Sequence, residues 1–148
     1  MDLAEKIRAR DAQIGVIGLG YVGLPLALTA VEAGFSVTGF DIDAEKTTAL
    51  NAGQSYIGHI AAAAVKAARE AGRFAASTDF AGLAQMDVIL VCVPTPLTAQ
   101  REPDMTFVSR TAEQIAAELR AGQLVVFEST TYPGTTAELI RPILERGA

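Results

Sequence analysis

Gly18, Gly20 and Gly23 follow an apolar run rich in β-branched residues, Ile14-Gly15-Val16-Ile17. They precede Leu24-Pro25-Leu26-Ala27-Leu28, which reads as helix. A strand, a tight turn and a helix start in that order are the setting in which Gly-x-Gly-x-x-Gly spacing signals a diphosphate site. Gly18 permits the sharp turn. Gly20 has no Cβ, so a diphosphate can come close to the backbone, and Gly23 lets the helix lie near the strand. The free N–H groups and positive dipole end of the helix then face the anion. Taken alone, the spacing also fits a glycine-rich turn that binds nothing. A carboxylate weighs against that. Val37-Thr38-Gly39-Phe40-Asp41 reads as the next strand, and Asp41 lies 18 positions beyond Gly23 (41 − 23). The acid that holds the adenosine ribose hydroxyls is expected roughly 20 residues on. A 2′-phosphate would meet a like charge there, so the pattern favours NAD over NADP.

These groups need a scaffold, and the hydrophobic pattern supplies one. Strands are expected over Gln13–Gly18, Ser36–Asp41, Arg73–Ser77, Val88–Val93 and Leu124–Phe127. Helices are expected over Val22–Ala33, Ala44–Leu50, Ala61–Ala71, Met105–Arg120 and Ala137–Arg146, with a brief one near Phe80–Ala84 and a helix or tail over Asp2–Arg10. Pro25 falls in a first turn, where its missing N–H costs little. Asp43, Asp79 and Asp104 are placed as N-caps. Val108, Ala112, Ile115, Ala116 and Leu119 form one apolar stripe. Alternating strands and helices predict right-handed crossovers and a parallel sheet with helices on both faces, a three-layered, doubly wound Rossmann-type α/β fold. Val88–Val93 is apolar throughout, as a strand buried on both faces requires. In such a sheet ligands collect at the carboxyl ends of strands. Thr95, after Val93-Pro94, is therefore placed to meet the cofactor, although a stiff loop with an incidental hydroxyl fits too. Lys46 lies five places beyond Asp41. One helical turn could bring its ammonium over the same ribose, and a solvated helix face explains it equally well.

The chain of 148 residues is long enough for one domain, residues 1–148, with a real core. Half of it is hydrophobic and 20% is charged, as in a soluble globular protein. The net charge of −5 and the lack of a basic cluster argue against nucleic acid or an anionic membrane as partner. The longest apolar run, Val88–Val93, is too short to span a bilayer. The charged start, Met1-Asp2-Leu3-Ala4-Glu5-Lys6, lacks a signal-peptide core, which points to the cytoplasm. One cysteine, Cys92, allows no internal disulfide, and it reads as a small buried apolar residue within a strand, not a nucleophile. The single histidine, His59, reads as a surface residue. No metal site is expected.

Five ordered stretches carry a resemblance. They are Ile17-Gly18-Leu19-Gly20-Tyr21-Val22-Gly23-Leu24-Pro25, Gly39-Phe40-Asp41-Ile42-Asp43 with Lys46, Val93-Pro94-Thr95-Pro96, Pro103-Asp104-Met105-Thr106, and Ser129-Thr130-Thr131-Tyr132-Pro133-Gly134-Thr135-Thr136. Together they resemble the NAD-binding domain of the UDP-glucose/GDP-mannose dehydrogenase family, the nucleotide-sugar 6-dehydrogenases. The wording from Glu128 to Gly134 is most similar to the UDP-N-acetylglucosamine 6-dehydrogenase branch. The resemblance implies oxidation of a UDP-sugar C6 alcohol to a carboxylate with two NAD+, through a thiohemiacetal on a cysteine. It implies a cofactor site made by Gly18, Leu19, Gly20, Tyr21, Val22, Gly23, Asp41, Ile42, Lys46, Val93, Pro94, Thr95 and Thr130. Val22 would cover the diphosphate, Asp41 and Lys46 would hold the ribose, and Thr95 would sit on the nicotinamide side. Thr130 would touch the cofactor and help place a catalytic water.

The same resemblance implies parts that these residues do not contain. The family's catalytic cysteine, its lysine, asparagine and aspartate partners, the sugar-binding domain and the dimer-building helix lie downstream of the Ser-Thr-Thr-Tyr-Pro-Gly stretch. Cys92, with no apparent base or cation beside it, is no substitute. The expectation is therefore the cofactor domain of a longer, homodimeric enzyme, able to bind NAD but not to turn over a UDP-sugar by itself. A standalone nucleotide-binding or regulatory module is the alternative from another class. A different Rossmann dehydrogenase would share the glycine turn, but not both Val-Pro-Thr-Pro and Ser-Thr-Thr-Tyr-Pro-Gly.

Overall fold

The computed structural model describes residues 2–58, 60, 62–93, 99–100, 106–128 and 141–147. Five strands are seen: β1 (Gln13–Ile17), β2 (Ser36–Phe40), β3 (Phe74–Ser77), β4 (Val88–Val91) and β5 (Leu124–Phe127). They pair in the order β3-β2-β1-β4-β5, and every pair is parallel. Among the described residues six α-helices accompany them: α1 (Leu3–Arg8), α2 (Gly23–Glu32), α3 (Ala44–Asn51), α4 (Ala62–Glu70), α5 (Thr106–Glu118) and α6 (Arg141–Gly147). A 3-10 helix spans Phe80–Gln85. The expected doubly wound α/β fold is present.

Strand alternation divides the core into two layers. On one face Ile14, Val16, Val37, Phe74 and Val88 pack with Leu24, Ala27 and Leu28 of α2 and with Val65 and Ala68 of α4. On the other, Ile17, Phe40, Ile89 and Val91 pack with Leu83, Met86 and Ile115. Residues 88 to 91 thus send alternate side chains to opposite layers, which is why that run has no polar member. Leu24, Leu83 and Ile115 are fully buried, each worth about 1.5–3 kcal/mol relative to exposure. The predicted stripe on α5 is where this packing occurs: Val108, Ala112 and Ile115 have no exposure.

Local chemistry fixes the ends. Asp2 caps α1 in a capping box with Glu5, and Leu3 and Ile7 dock on the core, so the first segment is a helix and not a tail. Asp43 accepts from the Glu45 N–H and starts α3. Asp79 accepts from the Ala81 N–H and starts the 3-10 helix. The Asp104 cap lies outside the described residues. The outer edge of β3 is covered by Asn51, whose side chain donates to the Ala76 carbonyl and accepts from its N–H.

Three strands end sooner than the sequence pattern suggests. Gly18, Asp41 and the pair Cys92-Val93 were expected within strands, yet β1, β2 and β4 stop at Ile17, Phe40 and Val91. The Gly18, Asp41 and Cys92 N–H groups each make one more bond to a neighbouring strand end. Their side-chain positions already belong to the rim. The register aligns Ile17 with both Phe40 and Val91, and Val91 with Phe127. The residues that follow (Gly18, Asp41, Cys92 and Glu128) therefore emerge along one edge. Strand order reverses between β2-β1 and β1-β4, which opens a crevice at that edge.

Candidate cofactor site

A crevice of about 640 Å³ occupies this switch point. Its walls include Gly18 to Val22 from the glycine turn, Asp41, Ile42, Asp43 and Lys46 after β2, and Cys92 and Val93 after β4. Of the sequence-predicted site, Gly18, Leu19, Gly20, Tyr21, Val22, Asp41, Ile42, Lys46 and Val93 thus come together. Gly23 does not reach the wall. Pro94, Thr95 and Thr130 lie outside the described residues, as do His59 and the whole 129–136 stretch.

The three motif glycines meet three different constraints. Gly18 adopts φ +91°, and an added Cβ would lie 2.7 Å from the Cys92 carbonyl oxygen. At Gly23 it would lie 1.7 Å from the Gly18 carbonyl oxygen, so α2 can sit on the turn only without a side chain there. At Gly20 an added Cβ meets nothing within 4 Å, and its φ is not positive. Neither protein packing nor backbone conformation demands glycine at position 20. The space beside it is open.

Backbone donors point to the same conclusion. Among the described residues, the Gly20 and Val22 N–H groups meet no protein acceptor, while their carbonyls accept from Leu24 and Leu26. The Leu19 N–H is used: it donates to Asp41 Oδ2 at 2.8 Å. Asp41 Oδ1 accepts from the Asp43 N–H at 2.9 Å. Asp41 is only 8% exposed, yet it lines the crevice, and each oxygen keeps a lone pair. A ribose diol needs acceptors of this kind. Leu19 contributes backbone alone, because its side chain is fully buried beside Gly39. Tyr21, Val22 and Ile42 are 77%, 57% and 72% exposed, an apolar lip around a polar floor. Unpaired amides, an empty Cβ position and a pre-positioned carboxylate fit a dinucleotide.

Part of the wall escaped the sequence reading. Phe80, Arg110, Thr111, Gln114 and Glu128 also line the crevice. Arg110 and Gln114 are four apart on α5, beside the apolar stripe, and only the crossover that folds α5 against the sheet brings them there. Among the described residues Arg110 has no ion pair. Tyr56, beside the crevice, is another residue the sequence pattern did not single out. Its hydroxyl donates to the Leu19 carbonyl, and Lys46 Nζ stands 5.8 Å from its ring centre.

Cys92 differs from its expected placement. It lies one residue beyond β4, half-buried and on the crevice wall. Burial, and then the nearby Glu128 charge, push its thiol up to about 11. A thiol raised in this way is a poor nucleophile at neutral pH.

Comparison with known proteins matches this geometry. Residues 12–148 match the family model described as UDP-glucose/GDP-mannose dehydrogenase family, NAD binding domain. The chain is 38% identical over 93% of its length to the UDP-N-acetyl-D-glucosamine 6-dehydrogenase of Pseudomonas aeruginosa. It is 39% identical over 90% to the UDP-N-acetyl-D-mannosamine dehydrogenase of Escherichia coli K12. It spans about a third of these relatives, 32% and 31%. The fold superposes with TM-score 0.87 on a ternary complex of GDP-mannose dehydrogenase from Pseudomonas aeruginosa, at 30% identity, covering 90% of this chain and 32% of that one. A UDP-glucose dehydrogenase from Pyrobaculum islandicum gives the same TM-score at 30% identity, with 93% and 33% coverage. With the glycine turn, the carboxylate and the switch-point crevice in place, the chain belongs to the UDP-glucose/GDP-mannose dehydrogenase family, and its residues are those of the NAD-binding domain.

Proposed function

We propose that residues 1–148 are the cofactor half of an enzyme that oxidises the C6 alcohol of a UDP-sugar to the uronic acid. The sugar would be of the UDP-N-acetylglucosamine or UDP-glucose type, and the product a donor for polysaccharide synthesis. The enzyme would work in the cytoplasm, with the sugar site and a homodimer interface supplied by other parts of the protein. Bound NAD+ supplies the hydride acceptor. The Gly20 and Val22 amides would hold its diphosphate, Asp41 and Lys46 its adenosine ribose, and Ile42 and Val22 would shield it from water. Val93, Pro94 and Thr95 would flank the nicotinamide side, and Thr130 would position cofactor and water. The observation that carries the reading is Gly20: open space at its missing Cβ, beside two amides that meet no acceptor among the described residues. Cys92, with its raised pKa, offers no thiolate for a thiohemiacetal, so the chain alone should bind without turnover.

Calorimetry with NAD+ and NADP+ tests this. Saturable NAD+ binding, weaker NADP+ binding and no turnover of UDP-N-acetylglucosamine or UDP-glucose are expected. No heat at millimolar NAD+, or a preference for NADP+, would overturn it.

A further inference from the structure

The segment between α3 and α4 sends Tyr56 back to the glycine turn, 37 residues away in sequence. Four contacts close a ring there. The Tyr56 hydroxyl donates to the Leu19 carbonyl, and the Leu19 N–H donates to Asp41. Asp41 accepts from the N–H of Asp43, the N-cap of α3, and α3 carries Lys46 over the Tyr56 ring. Tyr56 is 37% exposed, while its hydroxyl is held by the Leu19 carbonyl. Burial, followed by the charges of Asp41 and Asp43, pushes the phenol's pKa up, which favours the protonated, donating hydroxyl.

The Leu19 carbonyl and the Gly20 N–H belong to one planar trans peptide and point in opposite directions. Fixing one fixes the other. The peptide before a glycine is also the kind that can turn over cheaply, because glycine accepts either sign of φ. Left unheld, the Leu19–Gly20 peptide could present its carbonyl where an anion needs a donor. We propose that Tyr56 is a positioning residue: through the Leu19 carbonyl, its hydroxyl aims the Gly20 N–H at the diphosphate. The ring adds a second contribution by holding Lys46 at the ribose end of the crevice. The inference rests on the reading of Gly20 as a diphosphate-binding amide, given above.

Tyr56→Phe keeps the ring under Lys46 and removes only the hydroxyl. The 148-residue chain is titrated with ADP-ribose, which carries the diphosphate, and with adenosine, which does not. The Gly20 amide is followed by 15N–1H correlation spectroscopy. ADP-ribose binding should weaken about three- to tenfold, the loss expected for one hydrogen bond. Adenosine binding should stay within about twofold, and the downfield shift of the Gly20 proton at saturation should fall by at least about half. A merely structural Tyr56 would weaken both ligands alike, and that outcome overturns the proposal. So does a variant that binds ADP-ribose as the wild type does with the Gly20 shift intact. Lys46→Met provides a second arm that leaves the hydroxyl in place. It should weaken ADP-ribose but keep the full Gly20 shift at saturation, and loss of that shift would also refute the role given to Tyr56. A wild-type Gly20 amide that ignores ADP-ribose would remove the diphosphate reading itself, and this inference with it.

Discussion

Replacing Gly20 with alanine should separate cofactor binding from folding, and replacing Gly23 should not. At Gly20 the new methyl meets no heavy atom within 4 Å, and the backbone is not in the left-handed region. Stability should change by about 1 kcal/mol or less, if anything upward, since alanine narrows the unfolded ensemble. The methyl would instead stand where a phosphate approaches the Gly20 and Val22 amides. Losing one charge-assisted hydrogen bond costs about 1.5–3 kcal/mol, so NAD+ should bind roughly ten- to a hundredfold more weakly. At Gly23 the methyl would lie 1.7 Å from the Gly18 carbonyl oxygen, against the 3.0 Å that real Cβ atoms respect. Both sides of that clash are backbone, so α2 must lift from β1. Overpacking of this severity costs about 3 kcal/mol or more. At about 2–4 °C per kcal/mol, the melting temperature should fall by about 6–12 °C. Thermal melts and NAD+ calorimetry on the two variants decide the matter. Wild-type affinity in Gly20→Ala, or a loss of melting temperature matching that of Gly23→Ala, would refute the assignment of the open space to cofactor.

Asp41→Ala should weaken NAD+ by about 1–3 kcal/mol and also lower stability, because the Leu19 and Asp43 N–H groups lose their acceptor. Unchanged affinity by calorimetry would remove Asp41 from the ribose site. Asp87, which accepts from the Gln13 N–H, Lys6 and Arg120 at the opposite edge of the sheet, should make stability fall in acid. Burial alone would raise its pKa, but those donors outweigh it and hold the carboxyl below the usual range. The folded value is thus below the unfolded one. The contribution is complete above about pH 4 and disappears as pH falls through the folded value. In urea titrations the gap between wild type and Asp87→Asn should narrow from pH 7 to about pH 3, and a constant gap would contradict the network. Cys92, its thiol pushed up to about 11, should react with iodoacetamide roughly a hundredfold more slowly than free cysteine at neutral pH, and more slowly again with NAD+ present. Reaction at the free-thiol rate would count against its placement.

The glycine turn and Asp41 could be read from sequence because both are local. Each is set by a strand end and the few residues after it, and the spacing encodes the geometry. The α5 wall could not be read that way. Arg110 and Gln114 resemble any polar residues flanking an apolar stripe until the crossover lays α5 beside the carboxyl ends of the sheet. Tyr56 was hidden for the same reason, since its partner Leu19 is remote in sequence. For Asp41 the distance from Gly23 raised the expectation of a ribose acceptor, but its bond to the Leu19 N–H is a tertiary contact without a sequence signature. The strand ends were misjudged by one or two residues, because Asp41 and Cys92 continue the hydrogen-bond ladder for one step while facing the rim.

The charges in the crevice explain why the motif takes the form it does. Among the described residues, Asp41, Asp43 and Glu128 line it against Lys46 and Arg110, so these side chains carry no surplus of positive charge for a diphosphate. On the proposed reading the attraction comes from backbone amides and the start of α2, where partial positive charge is available without any cation. Such a site is built by removing side chains. Gly20 would clear the approach and Gly23 brings the helix end close, while the carboxylate proposed for the ribose also takes the Leu19 N–H. A lysine in the turn would attract phosphate more strongly, but its side chain would fill the space the phosphate needs. In the proposed site the binding group is the main chain itself, which is what keeps the glycine pattern readable.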